Sequence, residues 1–263
     1  MRQTRDRSPM ILILSSFVAA SPVGGGAQVS ALARLDVRAT LAPTVLFGRH
    51  PGLGPPGGGP VEAPVFAGVL EGIEAAGGFA DLDAVITGYF ADAAQVEIAA
   101  GAIDRILAVR PSALIAVDPI MGDAPKGLYI SAAVAQALAE HLVPRAGLLA
   151  PNAWELQRLT GHVVGDPRTA LEAARAIGRP VLVSSIPLAR RIGVLWTDGS
   201  QAWLASHRLA PSAPNGTGDL LTALFTAALL EGAAGPDALE TAVSDVAAMA
   251  LGEEADVALE MIE

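Results

Sequence analysis

Cysteine is absent from this 263-residue chain, which removes a disulfide framework, a thiolate metal site and a cysteine nucleophile together. Charge is scarce at 17% against 52% hydrophobic residues, so the composition is not that of a disordered chain. Basic residues are the minority, 17 Lys and Arg against 27 Asp and Glu, for a formal net charge of −10. No Lys/Arg cluster follows residue 10, so the basic face of a nucleic-acid binder is missing. No apolar run reaches the length of a membrane span. The histidines His50, His141, His162 and His207 form no pair with metal-ligand spacing. There is no Gly-x-Ser-x-Gly elbow for a hydrolase nucleophile, and no Gly-Lys-Ser/Thr to complete a Walker A loop. A chain this acidic repels polyanions at long range, so any anion site must use backbone amides, a helix N-terminus or a bound cation.

What is present is alternation. Short aliphatic runs predict strands at 10–14, 37–41, 84–87, 113–117, 147–149, 181–184, 191–196 and 201–205. Longer amphipathic stretches predict helices at 27–34, 65–76, 93–109, 132–141, 154–159, 168–177, 220–231 and 236–252. Several strands are wholly apolar, as strands are in a parallel sheet covered on both faces. The pattern reads as βαβ units in an α/β fold. Thr197-Asp198-Gly199-Ser200 separates the last two strands and predicts an antiparallel hairpin closing one sheet edge. Arg2, Arg5 and Arg7 before the apolar 10–14 run imitate a secretory signal, but the run is short and is broken by Ser15-Ser16. The expectation is a disordered tail over 1–9, then a single domain over 10–263, in the cytoplasm. The biased segment 48–60, Gly-Arg-His-Pro-Gly-Leu-Gly-Pro-Pro-Gly-Gly-Gly-Pro, is read as neither helix nor central strand. It is a surface loop, or a lid over a site, and His50 lies in it. Its literal Gly-x-Gly-x-x-Gly at Gly52, Gly54 and Gly57 follows no strand-to-helix pattern and is set aside.

Three motifs can carry chemistry. Asn215-Gly216-Thr217-Gly218-Asp219 precedes an apolar helix. Its glycines let the backbone turn and expose amides, and the helix points its positive end at the same place. Asp219 at the mouth of this anion hole suits a base for a hydroxyl attacking a phosphoryl group. It equally suits an Asp capping a helix after a turn. Asp118-Pro119-Ile120-Met121-Gly122-Asp123 follows a strand directly, and in parallel sheets ligands gather at the carboxyl ends of strands. Asp118 could as well start an Asx turn. Pro151-Asn152-Ala153-Trp154-Glu155 also follows a strand. Asn152 and Glu155 have capping-box spacing, or they form a hard-oxygen pair near Mg²⁺.

Together these segments resemble the ribokinase-like kinases, whose Gly-Thr-Gly-Asp signature is matched by Gly216-Thr217-Gly218-Asp219. Thr44-Val45-Leu46-Phe47-Gly48-Arg49-His50, Thr87-Gly88-Tyr89-Phe90, the Asp118 motif and Pro151-Asn152-Ala153-Trp154-Glu155-Leu156 resemble pyridoxal kinases in particular, in the family's order. The resemblance spans about residues 10 to 250. It implies a three-layer α/β/α fold with a mostly parallel central sheet and an antiparallel edge hairpin. It also implies ATP-dependent phosphorylation of the 5′-hydroxymethyl group of pyridoxal, pyridoxine or pyridoxamine, in vitamin B6 salvage. By resemblance, Ser16, His50, Pro51, Tyr89 and Asp219 contact the pyridine substrate. Asp118, Ala150, Asn152, Glu155, Ser184 and Thr217 bind ATP, and Asp118 and Glu155 lie at Mg²⁺. Gly216, Thr217 and Gly218 form the anion hole, and Asp219 is the base. The family implies a homodimer and a monovalent cation such as K⁺, with no nucleic acid or membrane partner. Where pyridoxal kinases carry Val-x-Gly-x-x-Gly-Asn after the first strand, this chain has Val18-Ala19-Ala20-Ser21-Pro22-Val23-Gly24-Gly25-Gly26. Its Ser-Pro-x-Gly-Gly part resembles hydroxymethylpyrimidine kinases, and Ser184 stands where a Lys is common. The alternatives are therefore a hydroxymethylpyrimidine-type kinase or a non-catalytic vitamer-binding protein on the same fold.

Overall fold

The structure is a computed structural model and describes residues 7–211 and 214–263. The elements run in chain order as follows. β1 (Met10–Val18), α1 (Gly24–Arg34), β2 (Arg38–Phe47), β3 (Gly58–Pro60) and α2 (Ala63–Ala75) come first. Then come β4 (Ala84–Thr87), α3 (Ala93–Val109), β5 (Leu114–Val117), the small hairpin β6 (Gly122–Asp123) and β7 (Gly127–Leu128), and α4 (Ala132–Ala137). β8 (Leu148–Leu149), α5 (Ala153–Thr160), α6 (Pro167–Ile177), β9 (Val181–Pro187), β10 (Arg191–Thr197) and β11 (Ala202–Arg208) follow. α7 (Thr217–Leu230), α8 (Gly235–Leu251) and β12 (Ala258–Met261) complete the chain.

One ten-stranded sheet is ordered β12-β11-β10-β9-β8-β5-β4-β1-β2-β3. Strands β9, β8, β5, β4, β1 and β2 are mutually parallel, and the strands beyond them on either side pair antiparallel. Side-chain alternation along β1 explains the layers. Leu12 and Leu14 enter the core covered by α3 and α4, whereas Ile11 and Ile13 enter the core covered by α7 and α8, and all four are fully buried. Leu156 and the small apolar face of α6 cover β9 to β11 in a third cluster. No helix among the described residues is long and apolar enough to cross a membrane.

Several boundaries differ from the sequence reading, each for a local reason. The expected tail over 1–9 falls partly outside the described residues, but its last part is held. Arg7 pairs with Asp83 at 3.1 Å, and the Arg38 N–H donates to the Pro9 carbonyl at 2.8 Å. β1 continues past the polar Ser15-Ser16 to Val18, because its extended backbone is set by the ladder with β2 and not by hydrophobicity. The 191–208 hairpin is present, but β12 adds outside it along β11, so the hairpin is not the outermost pair. The 48–60 segment is not irregular throughout. Pro51–Leu53 form a single 3-10 turn and Gly58–Pro60 form edge strand β3 against β2, where a Pro at a sheet edge is tolerated. The expected 132–141 helix widens into a π turn over Leu138–Leu142 ahead of Pro144. Two helices start three residues earlier than expected, α1 at Gly24 and α7 at Thr217, so Gly24-Gly25-Gly26 and Thr217-Gly218-Asp219 lie inside first helical turns.

Candidate active site

The ends of two parallel strands and the start of α7 place three carboxylates in one region. Asp118 follows β5, Glu155 is in the first turn of α5 after β8, and Asp219 is in the first turn of α7. Asp118 and Glu155 are buried, and Asp219 is partly exposed as a residue but its Oδ1 is sealed from solvent. Burial is the main force on all three protonation equilibria. It pushes Asp118 well above the usual carboxylate range, reinforced by the nearby negative charges of Glu155 and Asp219 and opposed by a hydrogen bond from Thr222. It lifts Glu155 to about 7 against the pull of three backbone N–H groups. It lifts Asp219 to about 6 against one hydrogen bond from the Gly24 N–H. Among the described residues no Lys, Arg or His forms an ion pair with any of the three.

Each carboxylate has its own mount. Thr222 lies one turn after Asp219 on α7, and its hydroxyl donates to Asp118 Oδ2 at 3.1 Å. Glu155 Oε1 accepts from the N–H of Met121 at 2.8 Å and of Gly122 at 3.2 Å. Its Oε2 accepts from the Asn152 N–H at 2.9 Å. Asn152 Oδ1 in turn accepts from the Glu155 N–H at 2.9 Å, completing a capping box, and its Nδ2 donates to the Gly122 carbonyl at 2.8 Å. The structural reading of this pair is therefore realised. Three acceptor positions of the Glu155 carboxylate are used, out of about four that a carboxylate offers. Asp219 Oδ2 accepts from the Gly24 N–H at 2.9 Å, and its Oδ1 is buried without a partner.

The turn that mounts Asp219 needs glycine. Gly216 caps α7 at φ +91°, a conformation L side chains rarely adopt, and a Cβ there would stand 2.6 Å from the Pro22 carbonyl oxygen. Gly24 opens α1 at φ +62°, where a Cβ would stand 2.1 Å from Ser16 Oγ. The N-termini of α1 and α7 thus meet at Asp219, and Ser16 at the end of β1 packs beneath them. Gly216, Thr217 and Gly218 form the α7 N-terminus as the motif implied, with Thr217 and Gly218 as its first helical residues.

The remaining expected residues lie around this region. Ala150 is buried at the end of β8, and Ser184 bridges to Asn152, its N–H donating to the Pro151 carbonyl at 3.0 Å. Tyr89 follows β4, half-buried, with burial raising its phenol above the ordinary range. Its carbonyl accepts from the Thr44 hydroxyl at 2.6 Å and its N–H donates to Ser15 at 3.3 Å. His50 and Pro51 lie further along the rim. The His50 N–H donates to the Ser21 hydroxyl at 3.1 Å, while its Nδ1 accepts from the Gly52 N–H at 3.0 Å, turning the ring towards its own turn. Sequence reasoning missed Gln28 and Thr222. The signal available for each was a polar residue on the buried face of an apolar helix, about one turn from a motif residue, although Thr222 shares that face with the buried Thr226.

The family described as phosphomethylpyrimidine kinase matches residues 68–257. A pyridoxine/pyridoxal/pyridoxamine kinase of Bordetella avium is 36% identical over 238 residues, covering 88% of this chain and 80% of that protein. A pyridoxal kinase PdxY of Deinococcus radiodurans is 34% identical over 253 residues, covering 91% and 85%. Among solved structures, the pyridoxal kinase from Entamoeba histolytica superposes with a TM-score of 0.90 at 22% identity, covering 97% of this chain and 100% of that one. The Leishmania donovani pyridoxal kinase in complex with ADP and pyridoxamine has a TM-score of 0.85 at 24% identity, covering 91% and 85%.

Proposed function

This chain belongs to the pyridoxal kinase group of the ribokinase-like superfamily, and from that premise we propose that it transfers the γ-phosphoryl group of ATP to the 5′-hydroxymethyl oxygen of pyridoxal, pyridoxine or pyridoxamine. The observation that carries the reading is Asp219, a carboxylate raised to about 6, set in the first turn of a helix whose amides face an incoming anion. A base with that pKa is ionised at neutral pH yet basic enough to accept a proton as the hydroxyl attacks.

The chain's part in the reaction is positioning and charge stabilisation, which phosphoryl transfer chiefly requires. The Asp219 carboxylate takes the hydroxyl proton, while the Gly24 N–H on Oδ2 holds it in place. The α7 N-terminal amides of Gly216, Thr217 and Gly218 receive the charge of the transferring group. Ser16, Tyr89, His50 and Pro51 line the acceptor side. Asn152, Ala150, Ser184 and Thr217 line the nucleotide side.

Asp118 and Glu155 are buried hard oxygen donors that repel one another, and among the described residues no three carboxylates or histidines are grouped to hold a metal by themselves, so a divalent cation here would take its other ligands from ATP phosphates and water. Asp118 would hold Mg²⁺, with the remaining acceptor position of Glu155 and with Asn152 supporting. When bound, Mg²⁺ supplies charge neutralisation at the ATP phosphates. A paired assembly of two copies, a monovalent cation such as K⁺ and residence in the cytoplasm follow from the same family reading.

Hydroxymethylpyrimidine is the second acceptor to consider, because the matching family is described as phosphomethylpyrimidine kinase. The test is product identification after incubation with MgATP and each acceptor. Phosphorus NMR should find a new phosphomonoester on the 5′-oxygen of a B6 vitamer. A product formed only from hydroxymethylpyrimidine, or none from any acceptor, would overturn the assignment.

A further inference from the structure

Gln28 is fully buried on α1, one helical turn after Gly24. Its Nε2 donates to the main-chain carbonyl of Asp219 at 3.0 Å. Gly24 and Gln28 share one face of α1, since positions four apart in a helix stand one above the other. That face therefore presents two N–H donors to a single residue of α7. One reaches the Asp219 carboxylate at 2.9 Å and the other reaches its carbonyl. A residue gripped at both ends has its χ1 torsion fixed.

The contact is not what a core would select for stability. The Asp219 carbonyl, in the first turn of α7, already has the helix's own i→i−4 bond available to it. Gln28 Oε1 is a buried acceptor without a partner, which is a standing cost. An apolar side chain of the same length would avoid that cost. We propose that Gln28 is a positioning residue for the transfer reaction, holding Asp219 in register with α1 and so fixing the orientation of its carboxylate. The inference rests on the kinase reading for its catalytic meaning, but the clamp itself is a structural claim. It also connects the base to the acceptor side, because the start of α1 is packed on Ser16.

The test is Gln28→Met, which keeps length and volume and removes the donor, with Gln28→Leu as a second apolar variant that also cannot donate. Three quantities are read on the whole chain: kcat and KM, Tm, and the amide proton resonance of Gly24. A carboxylate-bound amide proton lies downfield. In Gln28→Met, kcat should fall about tenfold with KM for ATP and vitamer within about twofold, since misplacing a reacting group acts on turnover more than on binding. Tm should hold or rise, and the Gly24 resonance should move upfield. An unmoved Gly24 resonance, with kcat either unchanged or falling only in step with Tm, would make Gln28 a packing residue and overturn the proposal. If the wild-type chain turns over no acceptor, the kinase reading fails, and the Gly24 resonance still decides the clamp.

Discussion

Replacing Asp219 with Asn should damage the reaction and stabilise the fold, and both effects follow from one number. Burial holds the Asp219 pKa at about 6 in the folded chain against an ordinary 3.8. The folded protein therefore binds this proton more tightly than the unfolded chain does. The stability from this group is fully present below about 3.8 and is lost as pH rises through about 6. At about 1.36 kcal/mol per pKa unit, ionising Asp219 costs about 3 kcal/mol of stability by pH 8. Asn removes the charge but places an amide donor where Oδ1 has no partner, which returns about 1–2 kcal/mol of that cost. The net gain is about 1–2 kcal/mol, or about 2–4 °C in Tm at this chain length. The assay is thermal unfolding of both proteins from pH 5 to pH 8, beside kcat. The Tm gain should be largest at pH 8 and vanish towards pH 5, with kcat lower by about 10²–10⁴. A variant less stable than wild type at pH 8, or a Tm difference independent of pH, would refute the claim that an ionised Asp219 with a sealed Oδ1 strains the fold.

Gly216→Val should raise KM for ATP and lower Tm, because a Cβ at φ +91° meets the Pro22 carbonyl at 2.6 Å; unchanged ATP affinity by calorimetry would count against the anion hole. Thr222→Val removes the hydroxyl donor on the buried Asp118 carboxyl, a hydrogen bond worth about 0.5–1.5 kcal/mol, so Tm should fall by about 1–3 °C by thermal unfolding. Arg7→Ala should cost under about 1 kcal/mol, since its side chain is 40% exposed and Arg110 still pairs with Asp83; a Tm loss above about 3 °C would contradict that.

The layers of the fold were legible because apolar periodicity reports burial, and here both sheet faces are buried. The strands at 84–87 and the helix at 93–109 are found where expected. What periodicity missed is held by backbone ladders or caps. β3 is Gly-Gly-Pro and pairs only through its backbone with β2, and β12 is an exposed, mixed-polarity strand docked on β11. The candidate site was legible where a motif follows a strand, at Asp118 and Glu155, and where a glycine turn opens a helix, at Asp219. Gln28 and Thr222 were not, because their meaning comes from contacts across 191 and 104 residues of sequence. The Val18–Gly26 stretch, which departs from the family pattern, packs on Ser16 and holds the Asp219 carboxylate through Gly24, so the departure coincides with a built contact to Asp219.

The most direct measurement is acceptor-dependent ADP release from MgATP by wild type and Asp219→Ala, comparing pyridoxal, pyridoxine, pyridoxamine and hydroxymethylpyrimidine with a blank lacking acceptor. The account predicts turnover of at least one B6 vitamer above the blank, lost by about 10²–10⁴ in the variant while ATP binding persists. Turnover of a vitamer that survives intact in Asp219→Ala, or no acceptor-dependent turnover by folded wild type, would contradict it.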